Sequence, residues 1–203
     1  TGRDTSELAS RVAGLTVTNM GPGQEKIFVR GLADSPITGQ TQAVVGIYLD
    51  GSRLTYDAPD PGLRLTDLQR IEVLRGPQGA LYGPGSIGGV LKLVTRPPDL
   101  TTFSAEFTAS GTATLTGGPG GAADLVVNAP LLQDRLAVRL VAYSETMGGV
   151  IDDTALDLTN TGRGYRDGYR FATLWQVTAG WSLRADAISQ TVRVDDSQYA
   201  FEN

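Results

Sequence analysis

A glycine-rich stretch at residues 71–95, IEVLRGPQGALYGPGSIGGVLKLVT, most constrains how this chain can fold. Residues 71–75 and 90–95 have strand character, and the segment between them holds six glycines and two prolines. So many glycines predict a backbone that bends sharply or passes close to other chain, where a Cβ would clash. The stretch is therefore predicted to form a strand, a tight glycine-rich turn and a second strand.

Within this stretch, residues 83–88 (GPGSIG) match the G-x-G-x-x-G nucleotide-binding pattern. That pattern needs a strand directly before it and a helix directly after it. Here the preceding strand is predicted to end at Arg75, and a strand is predicted after Gly89. No Gly-Lys-Ser or Gly-Lys-Thr follows, so a phosphate-binding loop, and with it a nucleotide-dependent enzyme, is disfavoured against a generic turn.

Four segments together resemble the plug domain of TonB-dependent outer-membrane receptors. They are IFVRG at 27–31, VGIYLDG at 45–51, IEVLRGPQGALYG at 71–83 and GGVLKLVT at 88–95. The residues that carry the structural signature of the resemblance are Gly31, Asp50, Gly51, Gly76, Pro77, Tyr82, Gly83, Gly88 and Gly89. The resemblance implies an α+β plug domain at residues 1–98, here without its N-terminal part.

Beyond residue 98 the hydrophobic pattern changes to strict alternation. Residues 95–99, with two prolines, mark the boundary. Residues 103–115 are non-polar at every odd position and polar at every even one. Soluble strands usually have about 5–6 residues, whereas strands that span a bilayer need about 9–11. A half-buried soluble sheet shows the same alternation, but the length favours a membrane strand.

Further strands are predicted at 124–128, 135–146, 169–177 and 181–194, with a turn at 129–134 and a polar loop at 147–167. Trp175 and Trp181 flank one tight turn and fit either a membrane-interface girdle or core packing. The chain begins at Thr1 without a signal-peptide pattern, and five strands do not close a barrel, so it is expected to be truncated at both ends. The predicted fold is an α+β plug domain followed by antiparallel β-strands of an incomplete transmembrane β-barrel, with residues 99–203 forming about the first five strands.

Composition excludes several functional classes. The chain has a net charge of −5, which disfavours a nucleic-acid partner, and it has no histidine, which excludes His-based triads and zinc sites. It has no run of 18 apolar residues that would form a transmembrane helix. The acids Asp152, Asp153 and Asp157 lack the spacing of a calcium loop and indicate a solvated surface. No catalytic residue, metal site or cofactor is predicted.

The resemblance implies a function at the cell outer membrane, namely active transport of a small-molecule nutrient. Ferric siderophores are the commonest nutrients that the family transports. The implied partners are the TonB–ExbB–ExbD energising complex and outer-membrane lipid, and no enzymatic activity is expected. The family's TonB-contacting segment lies upstream of the plug, and no residues here match it. Two alternatives stay open, namely a plug-type signalling receptor without transport, and uptake of a saccharide or vitamin B12.

Two sets of candidate site residues follow. The resemblance places Arg30 and Arg75, each before a glycine, with Glu72 in a polar cluster facing acids of the barrel wall; the alternative is ordinary surface charge. It also places nutrient contacts on the loops at 19–25, 32–42 and 52–63, which are long for loops between short strands. Their candidate ligand-binding residues are Gln24, Asp34, Gln40, Arg53, Tyr56 and Asp57; the alternative is ordinary surface loops, which are polar in any case.

Overall fold

The computed structural model describes residues 5, 12–20, 24–34, 43–55, 60–113, 117–153 and 157–195. Three candidate ligand residues, Gln40, Tyr56 and Asp57, lie outside these ranges. The chain forms two compact units, Thr1–Arg96 and Pro97–Asn203. Within the described ranges, no helix has both the length and the apolar character needed to cross a membrane.

The first unit contains two small sheets. Its strands are β1 (Leu15–Asn19), β2 (Gln24–Val29), β3 (Val45–Leu49), β4 (Ser52–Arg53), β5 (Asp60–Pro61), β6 (Leu68–Arg75) and β7 (Gly89–Thr95), with one short helix, α1 (Gly79–Tyr82). One sheet has the order β1-β2-β5 and the other β4-β3-β7-β6. Strands β3 and β7 are parallel, and the remaining pairs are antiparallel.

The core of this unit draws on both sheets. Its buried members are Leu15, Ile27, Val29, Val45, Ile47, Leu91 and Leu93. Strands β3 and β7 lie in the interior of their sheet and are buried along most of their length. Near-continuous apolar runs such as VGIYL and GVLKLV are typical of strands covered on both faces, as predicted for residues 43–49.

The glycine-rich stretch forms two antiparallel strands, β6 and β7, as predicted. The connection between them is more than a tight turn, because it contains α1 and is closed by hydrogen bonds from Gly76 N to Gly88 O (3.2 Å) and from Gln78 N to Ser86 O (2.9 Å). At Gly89 the backbone has φ 149°, and a Cβ would lie 2.5 Å from the carbonyl oxygen of Leu74. Residues 83–88 lead into β7 rather than into a helix, which agrees with the argument against a nucleotide loop.

The second unit is built around a five-stranded antiparallel meander. Its long strands are β8 (Ser104–Thr112), β9 (Gly120–Leu132), β10 (Leu136–Met147), β13 (Gly164–Thr178) and β14 (Trp181–Val194), and a small hairpin, β11 (Ile151–Asp153) with β12 (Leu158–Thr161), lies between β10 and β13 in sequence. Sheet order is β14-β13-β10-β9-β8. Among the described residues the sheet is open, since β8 and β14 each pair on one side only.

Three sequence boundaries in this unit were wrong. Strand β9 continues to Leu132, through the predicted turn at 129–134. Pairing of β8 with β9 reaches only the Ser104–Asn128 pair, so Pro130 lies where no β8 residue needs its missing N–H. Strand β13 begins at Gly164, inside the predicted polar loop, and β8 is described over Ser104–Thr112 rather than 103–115.

Strands β10 and β13 present two chemically different faces. On one face, Tyr169, Phe171 and Trp175 are about half exposed, and Leu140 of β10 is exposed beside Phe171. On the other face, Arg139, Arg166 and Arg170 are buried. Large apolar side chains therefore lie on the exposed face, whereas the buried face combines arginines with the smaller Ala137, Val141 and Ala172. An exposed apolar face is typical of a membrane barrel strand and is the reverse of a soluble sheet. Exposed Trp175 and Trp181 flank the β13–β14 turn.

Candidate functional site

A buried ionic cluster lies at the base of the predicted ligand-binding loops. Lys26 Nζ in β2 is 2.6 Å from Asp34 Oδ1 and 3.5 Å from Asp60 Oδ2. The side chains of these three residues are 1%, 5% and 2% exposed. An ammonium group this deeply buried is tolerated only when carboxylates surround it. We call Lys26, Asp34 and Asp60 the basal cluster.

Asp60 titrates abnormally within this cluster. Desolvation by burial raises its pKa above the usual value, and this outweighs the opposing influence of the Ile27 amide, which donates to Asp60 Oδ2 over 3.0 Å, and of the Lys26 charge. The nearby negative charge of Asp34 raises the pKa further.

The basal cluster changes the interpretation of Asp34. The sequence predicts Asp34 as a nutrient contact, but its carboxylate is turned into the unit and accepts a 3.4 Å hydrogen bond from Val44 N. Sequence reasoning missed Lys26 and Asp60, since a charged pair such as Glu25-Lys26 in a strand ordinarily indicates a solvated face. Gln24, by contrast, is exposed at the start of β2, as a ligand contact requires.

Arg53, the first candidate for a ligand-binding cation, also has intramolecular partners. Its guanidinium donates to the carbonyl oxygens of Thr55 (2.7 Å) and Pro84 (2.6 Å) and lies 3.5 Å from that of Gly85. Gly85 has φ 84°, and a Cβ there would lie 2.3 Å from the Arg53 Nη2 atom. Arg53 therefore fastens the start of the loop at 52–63 to the glycine-rich connection. Residue 85 is glycine because of its positive φ and because a Cβ would lie 2.6 Å from the carbonyl oxygen of Ala43.

Arg30 and Arg75 converge on one turn. The amide of Arg30 donates to Gly14 O (2.7 Å), and Nη2 of Arg75 donates to Ala13 O (2.7 Å). Both residues are exposed, and Arg30 adopts the left-handed conformation with φ 56°. The structure thus brings the two predicted arginines to neighbouring carbonyls of a single turn, with their charged groups near the surface of the unit.

Glu72 does not join the two arginines within this unit. It is three residues from Arg75 along β6, so its side chain points to the opposite face. Its carboxylate is 2.6 Å from Arg70 Nε and 4.0 Å from Lys92 Nζ, the residue opposite it on β7. Of the predicted cluster, the structure therefore groups Arg30 with Arg75 and leaves Glu72 with Arg70 and Lys92.

Asp50 of the Asp50-Gly51 signature follows β3 but binds the end of the neighbouring strand β7. Asp50, with φ 51°, accepts hydrogen bonds from Thr95 N (2.8 Å) and Thr95 Oγ1 (2.7 Å). Its amide donates to Leu93 O over 2.8 Å. Asp50 therefore caps the last residue of β7. Tyr82 is held in a similar way, because Tyr48 Oη donates to Tyr82 O (2.7 Å) and the two rings meet edge to face.

Asn128 anchors the start of the second unit, and the sequence did not indicate this role. The side chain is fully buried. Its Oδ1 accepts from Asp99 N (2.9 Å), and its Nδ2 donates to the carbonyl oxygens of Asp99 (3.0 Å) and Thr102 (2.7 Å). The Asp99 carboxylate caps the same segment, and hydrogen bonds from the hydroxyl and amide of Thr101 lower its pKa. The segment after the two prolines is thereby fixed to β9.

In the second unit, the buried face of the sheet carries paired charges. Arg166 is almost fully buried, and its Nη1 atom is 3.2 Å from Glu145 Oε2 on the neighbouring strand. Arg139 Nη1 donates to Asn128 Oδ1 over 3.4 Å. Throughout the described residues, no group of three or more acidic side chains is arranged to hold a metal ion.

Comparison with known proteins identifies the first unit. The family model of the TonB-dependent receptor plug domain matches residues 1–90. Residues 1–90 are a plug domain of the TonB-dependent receptor family. The matched range covers β1 to β6, α1 and the basal cluster, and it ends within the first two residues of β7.

Curated relatives match shorter stretches. The pesticin receptor of Yersinia pestis is 57% identical over 61 residues, which are 28% of this chain and 8% of that protein. The iron-regulated outer membrane virulence protein of Vibrio cholerae is 33% identical over 105 residues, covering 46% of this chain and 15% of that protein. The chain therefore spans less than a fifth of these relatives.

A solved structure matches almost the whole chain. The ferric yersiniabactin uptake receptor FyuA of Yersinia pestis superimposes with a TM-score of 0.81 at 21% identity, over 95% of this chain and 29% of that one. This likeness extends the shared fold from the plug domain into the strands of the second unit. The predicted receptor family, fold class and outer-membrane location are confirmed.

Proposed function

We propose that this chain is the plug, residues 1–98, and the first five barrel strands, residues 99–203, of an outer-membrane transporter that takes up a ferric siderophore. The plug domain at residues 1–90 carries the proposal, because the resemblance to TonB-dependent receptors implies that this domain blocks the lumen of the barrel. The names of the relatives support iron: one is iron-regulated, and FyuA takes up ferric yersiniabactin.

In this proposal the nutrient is bound and moved without covalent change, so the protein is not an enzyme. Energy comes from TonB with ExbB and ExbD. The outward faces of β10 and β13, with Phe171 and Trp175 exposed, contact outer-membrane lipid. Arg30 and Arg75 contact acids of the barrel wall. Glu72, the third member of the predicted polar cluster, lies on the opposite face of β6 with Arg70 and Lys92, so the two arginines carry the proposed contact.

The nutrient contacts the loops at 19–25, 32–42 and 52–63. Gln24, Gln40, Tyr56 and Asp57 are the residues proposed to touch it. Asp34 and Arg53 are assigned to the same loops, but their contacts with Val44, Thr55 and Pro84 support action through loop position rather than by direct contact.

Uptake by the complete receptor tests the proposal. The gene is expressed in a Gram-negative strain that lacks its own siderophore receptors, and uptake of radiolabelled ferric yersiniabactin and other ferric chelates, vitamin B12 and a maltodextrin is measured. A matched strain without TonB is the control. TonB-dependent uptake of a ferric chelate is expected. Uptake of vitamin B12 or saccharide alone would show that the nutrient is one of these instead of a ferric siderophore. Ligand-induced transcription without uptake would favour the signalling alternative.

A further inference from the structure

We propose that Lys26 is a positioning residue that holds two ligand-binding loops at a defined separation. The inference rests on the proposed function, in which the loops at 32–42 and 52–63 contact the nutrient. It concerns only the described ends of these loops. In the first loop these ends reach residue 34 and resume at residue 43, and in the second they reach residue 55 and resume at residue 60.

The contacts of the basal cluster join these bases directly. Asp34 lies near the start of the first loop, and Val44 lies just beyond its end. Val44 N donates to Asp34 Oδ1, the same atom that lies 2.6 Å from Lys26 Nζ. One carboxylate therefore joins both ends of the first loop. Asp60, where the second loop returns, lies 3.5 Å from the same ammonium group.

Lys26 itself is held on a rigid element. It lies in β2, the middle strand of its sheet, opposite Thr18 of β1. Glu25, the residue before Lys26, is paired with Asp60 across β2 and β5. Ile27 N, from the residue after Lys26, donates to Asp60 Oδ2. The same Oδ2 atom of Asp60 thus contacts both the backbone of β2 and the ammonium group of Lys26. A group placed by a strand is positioned more accurately than one placed by a loop.

Stability alone gives a weak reason for this arrangement. Replacing a buried ion cluster by neutral groups of similar size is often neutral or stabilising, because the desolvation cost of the charges disappears with them. What neutral groups do not supply is the distance-dependent attraction that places Asp34 and Asp60 on either side of one ammonium. Loop position, rather than folding free energy, is therefore the property that should respond to neutralisation.

Spin labels measure loop position in the complete receptor without any ligand. This chain contains no cysteine, so a Gln40→Cys and Asp57→Cys pair places one label on each loop once cysteines elsewhere in the receptor are replaced. Double electron–electron resonance then gives the distribution of distances between them. The test variants are Lys26→Met and the neutral triple variant Lys26→Met, Asp34→Asn and Asp60→Asn, which leaves no uncompensated charge.

We expect the triple variant to unfold within a few degrees of the parent, with a distance distribution at least twice as wide. In the receptor without the label cysteines, binding of the ferric chelate that gives uptake should weaken at least tenfold. Lys92→Met is the matched control, because Lys92 is the only other lysine of the chain and pairs with Glu72 of β6 rather than with the basal cluster. It should leave the distances and the binding unchanged.

Two results would overturn the positioning role. One is a parental distance distribution in the triple variant, whatever happens to uptake. The other is a large fall in melting temperature with a distribution that stays narrow, which would make the cluster purely structural. If no ferric chelate binds to the parent receptor, the proposed cargo fails, while the ligand-free distances still decide whether Lys26 positions the loops.

Discussion

Replacing Arg75 by alanine in the complete receptor should unseat the plug without unfolding it. Among the described residues of the plug, the exposed side chain of Arg75 makes one hydrogen bond, from Nη2 to Ala13 O. Losing one such exposed bond costs about 1 kcal/mol or less. If Arg75 also pairs with a partly buried carboxylate of the barrel wall, its removal leaves that charge unpaired at a cost of about 3–5 kcal/mol.

These two magnitudes separate the mechanisms. A loss of about 3 kcal/mol raises the population of an unseated plug by about a hundredfold, since 1.4 kcal/mol corresponds to a factor of ten. We therefore expect Arg75→Ala to raise the susceptibility of cells to bulky antibiotics and the conductance of the purified receptor in planar bilayers. Hydrogen exchange of the amides in β3 and β7 should stay close to the parent, because these strands do not depend on Arg75.

The matched control is Arg70→Ala. Arg70 lies on the same strand, with its side chain about half exposed, and pairs with Glu72 at 2.6 Å. Such surface pairs contribute about 0–1 kcal/mol, so permeability and uptake should not change. Parental permeability and uptake in the Arg30→Ala, Arg75→Ala double variant would refute the seating role. Rapid exchange throughout β3 and β7 in Arg75→Ala would refute it too, because leakage would then come from unfolding.

Three further predictions concern single groups. Gly89→Ala should destabilise the plug by about 3 kcal/mol or more, because the backbone has φ 149° there and the new Cβ would lie 2.5 Å from a carbonyl oxygen of β6. Gly79→Ala, where no atom lies within 4 Å of the new Cβ, should be tolerated, and thermal unfolding of both variants checks this. Asp50→Ala should cost about 2–4 kcal/mol and accelerate hydrogen exchange at the end of β7, because two hydrogen bonds to a carboxylate are lost; unchanged exchange would contradict it. The lowered pKa of Asp99 should keep the amide of Thr101 protected at pH values near the usual aspartate pKa of about 4, with protection lost only as the pH falls through the lowered pKa, and Asp99→Asn should remove this pH dependence.

Local pattern determined most of the architecture. Strands β3 and β7 are apolar runs that only a strand covered on both faces would bury, and the alternation in β10 and β13 specifies which side chains point outward. A continuous apolar run and an alternating pattern are both properties of adjacent residues, so they can be recognised in the sequence without knowing which strand pairs with which. The boundary of β9 was missed because the tolerance of Pro130 depends on where β8 stops pairing, which is a property of the neighbouring strand.

The roles of the charged residues were decided by the tertiary structure. Arg53 and Pro84 are 31 positions apart, and nothing near either residue indicates that the guanidinium binds the glycine-rich connection. In the same way, Lys26 reads as a surface lysine until β5 and the first loop bring Asp60 and Asp34 against it. A charge next to the backbone pattern of a strand is compatible with either solvent or a buried partner, and only the residues that the fold places within about 4 Å decide between them.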